Sequence, residues 1–275
     1  MESFLNYNGK ILLANELLIS PSNRSFRYGD GFFETIKVKQ GEILLKNFHE
    51  DRILKSLHTL KFTMPKLFSV YQIFSQIEQL VVKNKQQDLA RVRLTFFRGD
   101  GGLYDAENYN PNYVIQSYQL TQTLTELNTN GLVMGFYKDG IKPVDSFCNI
   151  KNNSFLPYTM AALWAKENKL NDAIVLNSNN TIADTTIANI FIVKNNEIFT
   201  PKLEDACIAG VTRNFLIKNV PSIQQKSINE QDMLTADEVF VTNAIRGIQW
   251  VKQVANSTYA LGSKTLECAK LLQQL

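Results

Sequence analysis

The chain has 275 residues, enough for one large or two modest domains, and its 44% hydrophobic and 20% charged residues are typical of a globular protein. The formal charge of +3 is too small for a dedicated binder of nucleic acid or of a membrane surface. Two histidines and three cysteines are present, at spacings that fit neither a metal site nor a disulfide framework. We therefore expect no metal, no nucleic acid, no membrane partner and a cytoplasmic location.

The first part of the chain predicts a small domain of mixed helices and strands over residues 1–119. Short strands are indicated at GKILLAN and at FFETIKVKQGEILL, where Gly41 marks a hairpin turn. The apolar spacing then predicts amphipathic helices over residues 46–61 and 67–84. Further strands are predicted for ARVRLTFF and NYVIQSYQ.

The stretch ARVRLTFF, residues 90–97, alternates between two kinds of side chain. One predicted face carries the apolar residues Ala90, Val92, Leu94 and Phe96. The opposite face carries Arg91 and Arg93, and Arg98 follows just before a GDGG loop. These arginines are candidates for holding carboxylates, and the alternative for Arg91 and Arg93 is a solvated sheet face.

A polar stretch over residues 120–128 predicts a linker, and residues 129–275 form a larger second domain. Strands are indicated at LVMGFYK, DAIVLN, IANIFIV, EIFT and DEVFVTNA, with helices after Pro157 and Gly210. Because strands and helices do not alternate strictly, the pattern favours an α+β fold over a parallel, doubly wound sheet.

Four short clusters contain residues suited to chemistry, and each also has an ordinary explanation. Arg27–Thr35 contains two glycines around an aspartate, as in a tight turn, and His49–Arg52 puts two basic residues on one helix face. In Ile150–Asn153 a lysine precedes a helix, where loss of water would activate its amine. Ala209–Arg213 opens a helix, whose free N–H groups and dipole favour an anion. A turn, a solvated charge, an ordinary lysine and an ordinary helix start remain the alternatives.

The order and spacing of these clusters resemble the class IV aminotransferase family, the fold-type IV enzymes that use pyridoxal 5′-phosphate (PLP). The family includes branched-chain aminotransferases, D-amino acid aminotransferases and aminodeoxychorismate lyases. The similarity runs from about Tyr28 to Val254. It is carried by YGDGFFET (28–35), HEDR (49–52), the lysine of IKNNS (150–154), DTTIANIF (184–191), TPKL (200–203), GVTR (210–213) and ADEVFVTN (236–243).

The resemblance implies a role for each candidate residue. Lys151 would hold PLP as a Schiff base and shuttle the proton at the substrate Cα, and Asp184 would face the pyridine nitrogen. The phosphate would be bound by Arg52, by the backbone N–H groups of Val211 and Thr212, and by Thr242. The substrate carboxylates would be held by residues among Arg91, Arg93 and Arg98.

The chain departs from the family pattern at three positions near these residues. Asp184 stands where the family usually has Glu, which shortens the side chain by one methylene, or about 1.5 Å. Ser154 replaces a common Asn, and Phe155 cannot donate the hydrogen bond that an aromatic hydroxyl gives in branched-chain enzymes. These departures concern the substrate class rather than the cofactor.

Three functions fit this pattern, and they share the residues named above except for the substrate pocket. The first is aminodeoxychorismate lyase, which releases pyruvate and leaves 4-aminobenzoate. The second is transamination of a branched-chain or D-amino acid, and the third is a non-catalytic binding protein with the same fold. The YGDGFFET form, Arg98 with its following glycines and the short chain look more like the lyase or the D-amino acid branch of the family, and of these we favour the lyase. The resemblance further implies a two-domain α+β fold like that of D-amino acid aminotransferase, PLP between the domains, a small-molecule substrate and a homodimer.

Overall fold

The structure is a computed structural model, and it describes residues 3–275. The chain forms two compact units. Unit 1 contains the residues up to Leu124 together with Ile150–Ser154, and unit 2 contains Thr125–Asn149 and Phe155–Leu275. The predicted linker, residues 120–128, includes the point where the chain first passes from unit 1 to unit 2. The segment with Lys151 belongs to unit 1, whereas the sequence led us to expect it in the larger second domain.

Unit 1 contains a six-stranded antiparallel sheet with helices. The strand order is β2-β1-β6-β5-β3-β4. The strands are β1 (Phe4–Tyr7), β2 (Lys10–Leu13), β3 (Gly31–Lys39), β4 (Glu42–Ile43), β5 (Leu89–Phe97) and β6 (Asn112–Gln119). The helices are α1 (Arg24–Tyr28), α2 (Lys46–Thr59) and α3 (Val70–Lys83).

The apolar patterns of unit 1 account for this arrangement. The face of β5 with Ala90, Val92, Leu94 and Phe96 is fully buried, as the alternation predicted. It packs in one core with the apolar faces of α2 and α3, and the Ser69 hydroxyl caps the first turn of α3. Gly41 has a φ of +80° in the β3–β4 turn, a conformation that favours glycine. Both predicted helices and the hairpin are therefore confirmed.

Unit 2 is built on a nine-stranded mixed sheet. The order is β12-β11-β10-β13-β14-β7-β8-β9, and β15 pairs with β14. The strands are β7 (Leu132–Lys142), β8 (Asp172–Asn177), β9 (Ile182–Thr185), β10 (Asn189–Lys194), β11 (Glu197–Thr200), β12 (Ile223–Gln225), β13 (Glu238–Asn243), β14 (Gly247–Val254) and β15 (Ser257–Thr258). The helices are α4 (Leu156–Glu167), α5 (Val211–Asn219), α6 (Glu230–Leu234) and α7 (Ser263–Gln273).

Two helices of unit 2, α4 and α5, begin where the sequence signals placed them. Pro157 lies in the first turn of α4, where its missing N–H is not needed, and α5 begins directly after Gly210. Helices α1, α6 and α7 had no clear sequence signal. Among residues 3–275, no helix combines the length and the apolar character that crossing a bilayer requires.

Candidate active site

In unit 1, strand β3 and helix α2 bring three polar residues into a closed, buried cluster. Glu34 is fully buried on β3, and His49 and Arg52 lie three residues apart on the same face of α2. Arg52 donates from Nε to one Glu34 carboxylate oxygen at 2.7 Å and from Nη2 to the other at 2.5 Å. His49 Nδ1 lies 2.6 Å from Glu34 Oε2. The guanidinium of Arg52 is thus held in a fixed orientation by a two-point contact.

The electrostatics of this cluster keep one positive and one negative charge. Burial alone would raise the pKa of the Glu34 carboxyl, but the Arg52 charge and the His49 hydrogen bond outweigh it and lower that pKa to about 2. Burial lowers the pKa of His49, so this ring is neutral at pH 7 and its Nδ1–H donates to Glu34. Arg52 is therefore charged and positioned before any ligand binds.

Lys151 is attached to the beginning of β3 through its backbone. Its carbonyl accepts the Phe33 N–H at 2.9 Å, and the Asn153 N–H donates to the Gly31 carbonyl at 3.0 Å. The half-buried Lys151 side chain places Nζ 4.6 Å from the centroid of the Phe33 ring. Two backbone hydrogen bonds and an aromatic face therefore fix the position of this amine within unit 1.

The side chains of Arg93 and Lys151 both contact the aromatic ring of Phe33. The Arg93 Cζ is 3.8 Å from the Phe33 centroid, and burial lowers the pKa of Arg93 from its usual range. On the same sheet face, Arg91 lies over Tyr118 and is paired in register with Lys37 of β3. Neither Arg91 nor Arg93 forms an ion pair with any residue in the described part of the chain. This sheet face therefore carries two guanidinium groups, those of Arg91 and Arg93, whose charge an anionic ligand would balance.

Arg98 is directed elsewhere in unit 1. It forms a salt bridge with Asp30, donates to the Leu60 carbonyl, and lies 4.4 Å from the centroid of the Phe62 ring. Arg24 donates to the other Asp30 oxygen at 2.7 Å. These contacts hold the loop after β5 against α1 and the end of α2, whereas Arg91 and Arg93 project from the sheet face.

In unit 2, Asp184 is the centre of a second buried cluster. The carboxylate is 2% exposed on β9 and accepts hydrogen bonds from four groups. Its Oδ2 receives the Tyr158 hydroxyl at 2.9 Å, the Ile208 N–H at 2.8 Å and Lys142 Nζ at 3.3 Å. Its Oδ1 receives the Asn189 amide at 2.8 Å. Oδ1 therefore retains capacity for one further donor, while Oδ2 is filled.

The neighbours of Asp184 keep its negative charge in place. Burial, followed by the Asp184 charge, raises the pKa of Tyr158 well above its usual value, so this hydroxyl stays protonated and donates. Phe155 stacks on Tyr158 with ring centroids 4.3 Å apart. Lys142, only 6% exposed, supplies the compensating positive charge. Asp184 is thus a fixed, buried carboxylate.

The beginning of α5 lies beside the same cluster. Gly210 precedes the helix and gives it no side-chain cap, and a Cβ at this position would lie 1.9 Å from the Asn189 side-chain oxygen. Asn189 pairs in register with Thr242 of β13, and α5 packs against β13. The Thr242 hydroxyl is buried and has no hydrogen-bond partner in the described chain. An uncapped helix start and an unpartnered hydroxyl are thus available to an anion.

The structure groups the sequence candidates within each unit. In unit 1, Lys151 and Arg93 share the Phe33 ring, and Arg98 is not part of this group. In unit 2, Asn189 links Asp184 to the start of α5 and to Thr242. The sequence analysis missed several residues that complete these clusters: Phe33, Glu34, Lys142 and Tyr158. The YGDGFFET motif contains Phe33 and Glu34, but no sequence signal pointed to Lys142 or Tyr158.

Comparison with known proteins gives a consistent result. The family model "Amino-transferase class IV" matches residues 31–254. The chain is 28% identical over 278 residues to the aminodeoxychorismate lyase of Bacillus subtilis, covering 98% of this chain and 92% of that protein. It is also 28% identical over 245 residues to the aminodeoxychorismate lyase of Vibrio harveyi, covering 85% of this chain and 86% of that protein.

The fold of this chain matches that of a solved structure over the full length of this chain. The branched-chain aminotransferase of Thermoproteus uzoniensis superposes with a TM-score of 0.90 at 20% sequence identity, covering 100% of this chain and 94% of that one. At this identity the likeness establishes the fold alone. The two-domain α+β fold of type IV predicted from the sequence is confirmed.

Proposed function

Since the chain belongs to the class IV aminotransferase family and is a PLP-dependent enzyme, we propose that it is an aminodeoxychorismate lyase, which forms 4-aminobenzoate and pyruvate for the folate pathway. The observation that supports this most strongly is the cationic sheet face of unit 1 beside Lys151. Because the family and the relatives are PLP-dependent enzymes, we set aside the third function, a non-catalytic binding protein with the same fold. The second candidate is an aminotransferase acting on a D-amino acid or a branched-chain amino acid.

The residues present fit the cofactor. The buried Thr242 hydroxyl without a partner and the uncapped start of α5 are the donors that a phosphate group needs. Asp184 is a buried carboxylate that pairs with Lys142 and has capacity left on Oδ1, which suits a protonated ring nitrogen in spite of its shorter reach. We assign the phosphate to Arg52, Thr242 and the N–H groups of Val211 and Thr212, and the ring nitrogen to Asp184.

Within this assignment each residue has a separate task. When bound, PLP supplies an electron-withdrawing ring that stabilises negative charge at the substrate Cα. Lys151 would hold the cofactor covalently through Nζ, and its freed amine would take the proton from the amine-bearing carbon of the substrate. In the lyase reaction this proton would end on the released pyruvate, because that carbon becomes part of the aromatic ring of 4-aminobenzoate. Asp184 holds a proton on the ring nitrogen, and Lys142 and Tyr158 fix the carboxylate that does so.

The substrate class follows from the charges beside Lys151. The lyase products, pyruvate and 4-aminobenzoate, each contain a carboxylate, so the substrate contains two. Arg93 lies beside the amine over the same ring, and Arg91 follows on the same strand face, so two guanidinium groups are available for two carboxylates. A branched aliphatic side chain would gain nothing from these cations, which favours the lyase over a branched-chain aminotransferase.

We further propose a cytoplasmic homodimer. The three cysteines are free and buried, as is usual in a reducing compartment. Unit 1 exposes several large apolar side chains, among them Leu18 (91% exposed), Phe26 (77%) and Tyr104 (94%), which a second subunit would cover. Light scattering should give twice the mass of one chain, and a monomer at micromolar concentration would contradict the dimer.

Two parallel assays test the reaction. The PLP-loaded enzyme is incubated with 4-amino-4-deoxychorismate, and 4-aminobenzoate and pyruvate are measured. In parallel it receives D-alanine or a branched-chain L-amino acid with a keto-acid acceptor, and the new keto acid is measured. We expect the lyase products at a much higher kcat/KM. A higher kcat/KM for transamination would establish the second candidate instead.

Variants connect the activity to the assigned residues. Lys151→Ala should abolish turnover, whereas Lys166→Ala, an exposed lysine on α4, should not change it. Arg93→Gln should raise KM about tenfold or more, because it removes a charge-assisted contact worth about 1.5–3 kcal/mol. Lys39→Gln, at the exposed end of β3, is its matched control. An unchanged KM in Arg93→Gln would remove Arg93 from the substrate site.

A further inference from the structure

Arg213 is among the most deeply buried residues of unit 2 and has no assigned role. It is the third residue of α5 and is 1% exposed. Its Nη2 donates to the Pro201 carbonyl at 2.8 Å and to Gln225 Oε1 at 2.7 Å, and its Nη1 lies 3.3 Å from Asn214 Oδ1. All three partners are neutral oxygen atoms.

The positive charge of Arg213 is therefore not balanced locally. No carboxylate in residues 3–275 lies within ion-pair distance of it, and its Nε is buried without a hydrogen-bond partner. Asp205 is a buried acidic residue of the same unit, but its carboxylate accepts hydrogen bonds from the hydroxyls of Thr181 and Ser227 instead. Because a guanidinium cannot lose its proton in a protein, burial without a counter-charge is costly.

The position of Arg213 on α5 adds to this cost. The first turn of a helix has positive potential, and a cation there opposes the helix dipole. The first turn of α5 contains no acidic residue, and Gly210 offers no capping side chain. The start of α5 and the charge on its third residue thus both favour an anion near the first turn of this helix.

The Thr242 hydroxyl supplies an independent sign that a ligand belongs there. It is 1% exposed and unpartnered, and it lies on the strand that packs against α5. Its register partner Asn189 contacts the Gly210 position at the helix start. An unsatisfied hydroxyl and an unbalanced cation therefore flank one uncapped helix start.

We propose that Arg213 supplies buried counter-charge for the PLP phosphate, in addition to anchoring the first turn of α5 to Pro201 and Gln225. It is a positioning and electrostatic residue that strengthens phosphate binding through its charge. The inference rests on the proposed phosphate site at the start of α5.

The test compares PLP with pyridoxal, which has the same aldehyde and ring but no phosphate. Dissociation constants for both are measured with wild-type protein and with Arg213→Gln, Arg213→Lys and Lys218→Gln. Gln keeps a donor for the Pro201 carbonyl and removes the charge, while Lys keeps the charge. Lys218 is an exposed cation in the last turn of the same helix and serves as the matched control.

We expect Arg213→Gln to weaken PLP binding about tenfold or more and to leave pyridoxal binding within about twofold of wild type. Arg213→Lys should retain most of the PLP preference, and Lys218→Gln all of it. If Arg213→Gln loses affinity equally for PLP and pyridoxal, or for neither, Arg213 only anchors the first turn of α5 and the inference is overturned. If Arg213→Gln does not fold, loss of the PLP preference in Arg213→Lys would overturn it. If wild-type protein binds PLP no more tightly than pyridoxal, the proposed phosphate site itself is wrong.

Discussion

The two units each bury an arginine, and they balance its charge in opposite ways. In unit 1, Arg52 makes a two-point contact with the buried Glu34 carboxylate, which also accepts a hydrogen bond from His49. In unit 2, Arg213 contacts only neutral oxygen atoms and leaves its Nε unpartnered. The charge of Arg52 is thus neutralised within unit 1, whereas no carboxylate in the described part of the chain pairs with Arg213 of unit 2.

Because of this difference, substitutions at the buried pair of unit 1 should mainly change the stability of the fold, and substitutions near α5 should mainly change the affinity for the cofactor. Removing the partner of Arg52 leaves a buried charge alone in the folded protein, whether or not cofactor is present. Near the start of α5, the Thr242 hydroxyl and Arg213 Nε lack hydrogen-bond partners among residues 3–275, so changes at these two groups should affect cofactor binding more than folding.

The largest effect is expected from Glu34→Gln. This variant keeps the size of the side chain but removes the counter-charge of Arg52, so the free energy of unfolding should fall by about 3–5 kcal/mol. Urea denaturation of the cofactor-free protein measures it. Glu42→Gln, at an exposed site on β4 of the same sheet, is the control. A loss no larger than that of the control would show that unit 1 does not depend on this ion pair.

The same pair predicts a dependence of stability on acid pH. Because the folded-state pKa of Glu34 is about 2 and the ordinary value is 4.5, the folded protein binds fewer protons between these values. The stabilisation, about 3 kcal/mol, is fully present above pH 4.5 and is lost as the pH falls toward 2. Urea unfolding of wild type and Glu34→Gln across this range should show the difference shrinking with acid. A constant difference would contradict the ion pair.

Asp184→Asn should reduce turnover about 10- to 100-fold while PLP still binds. The charge that holds the ring nitrogen protonated is lost, and a charge-assisted hydrogen bond is worth about 1.5–3 kcal/mol. Lys142 is also left as an unpaired buried charge, so stability falls. The double variant Lys142→Met, Asp184→Asn should regain stability but not turnover. Asp184→Glu should be tolerated poorly, because four donors already fix the shorter side chain.

Recovery of turnover in the double variant would contradict this assignment, since both charges are then absent. Full turnover in Asp184→Asn alone would do the same. Asn189 or Thr185 would then be reconsidered as the group that faces the ring nitrogen.

The smallest effect is expected from Thr242→Val. Loss of one hydroxyl donor should weaken PLP binding by about 0.5–1.5 kcal/mol. The stability of the cofactor-free protein should not fall, because this hydroxyl has no partner to lose. Thr200→Val is the matched control, since the equally buried Thr200 hydroxyl donates to the Ile190 carbonyl at 2.7 Å, and it should lose stability. A stability loss in Thr242→Val equal to that of Thr200→Val would indicate a structural hydroxyl.

The sequence predicted the fold well where a local pattern, such as an alternation of apolar residues or a glycine before a helix, determines the secondary structure. The alternation of β5 and the Gly210 start of α5 appeared as expected. The short helix α1 was not predicted, because its five residues bury no side chain and therefore show no apolar period. Its helical state depends on the Asn23 side chain, which accepts from the Ser25 and Phe26 N–H groups.

The candidate site was predictable only in part, because its clusters join residues that are distant in sequence. Lys142 and Asp184 are 42 residues apart, and no motif relates them. The Glu34–Arg52 contact spans 18 residues between a strand and a helix, so the two motifs were visible but their pairing was not. The unbalanced charge of Arg213 depends on which atoms surround it, which a linear sequence cannot show.

Mapping the site of cofactor attachment tests directly whether Lys151 holds the cofactor. The PLP-loaded wild-type protein is reduced with borohydride, digested, and sequenced by mass spectrometry, with cofactor-free protein as the control. The buried Lys142 is the sharpest competitor, because it pairs with the proposed ring-nitrogen partner Asp184. We predict the phosphopyridoxyl group on Lys151 alone. Finding it on Lys142, or on any other lysine with Lys151 unmodified, would contradict the account.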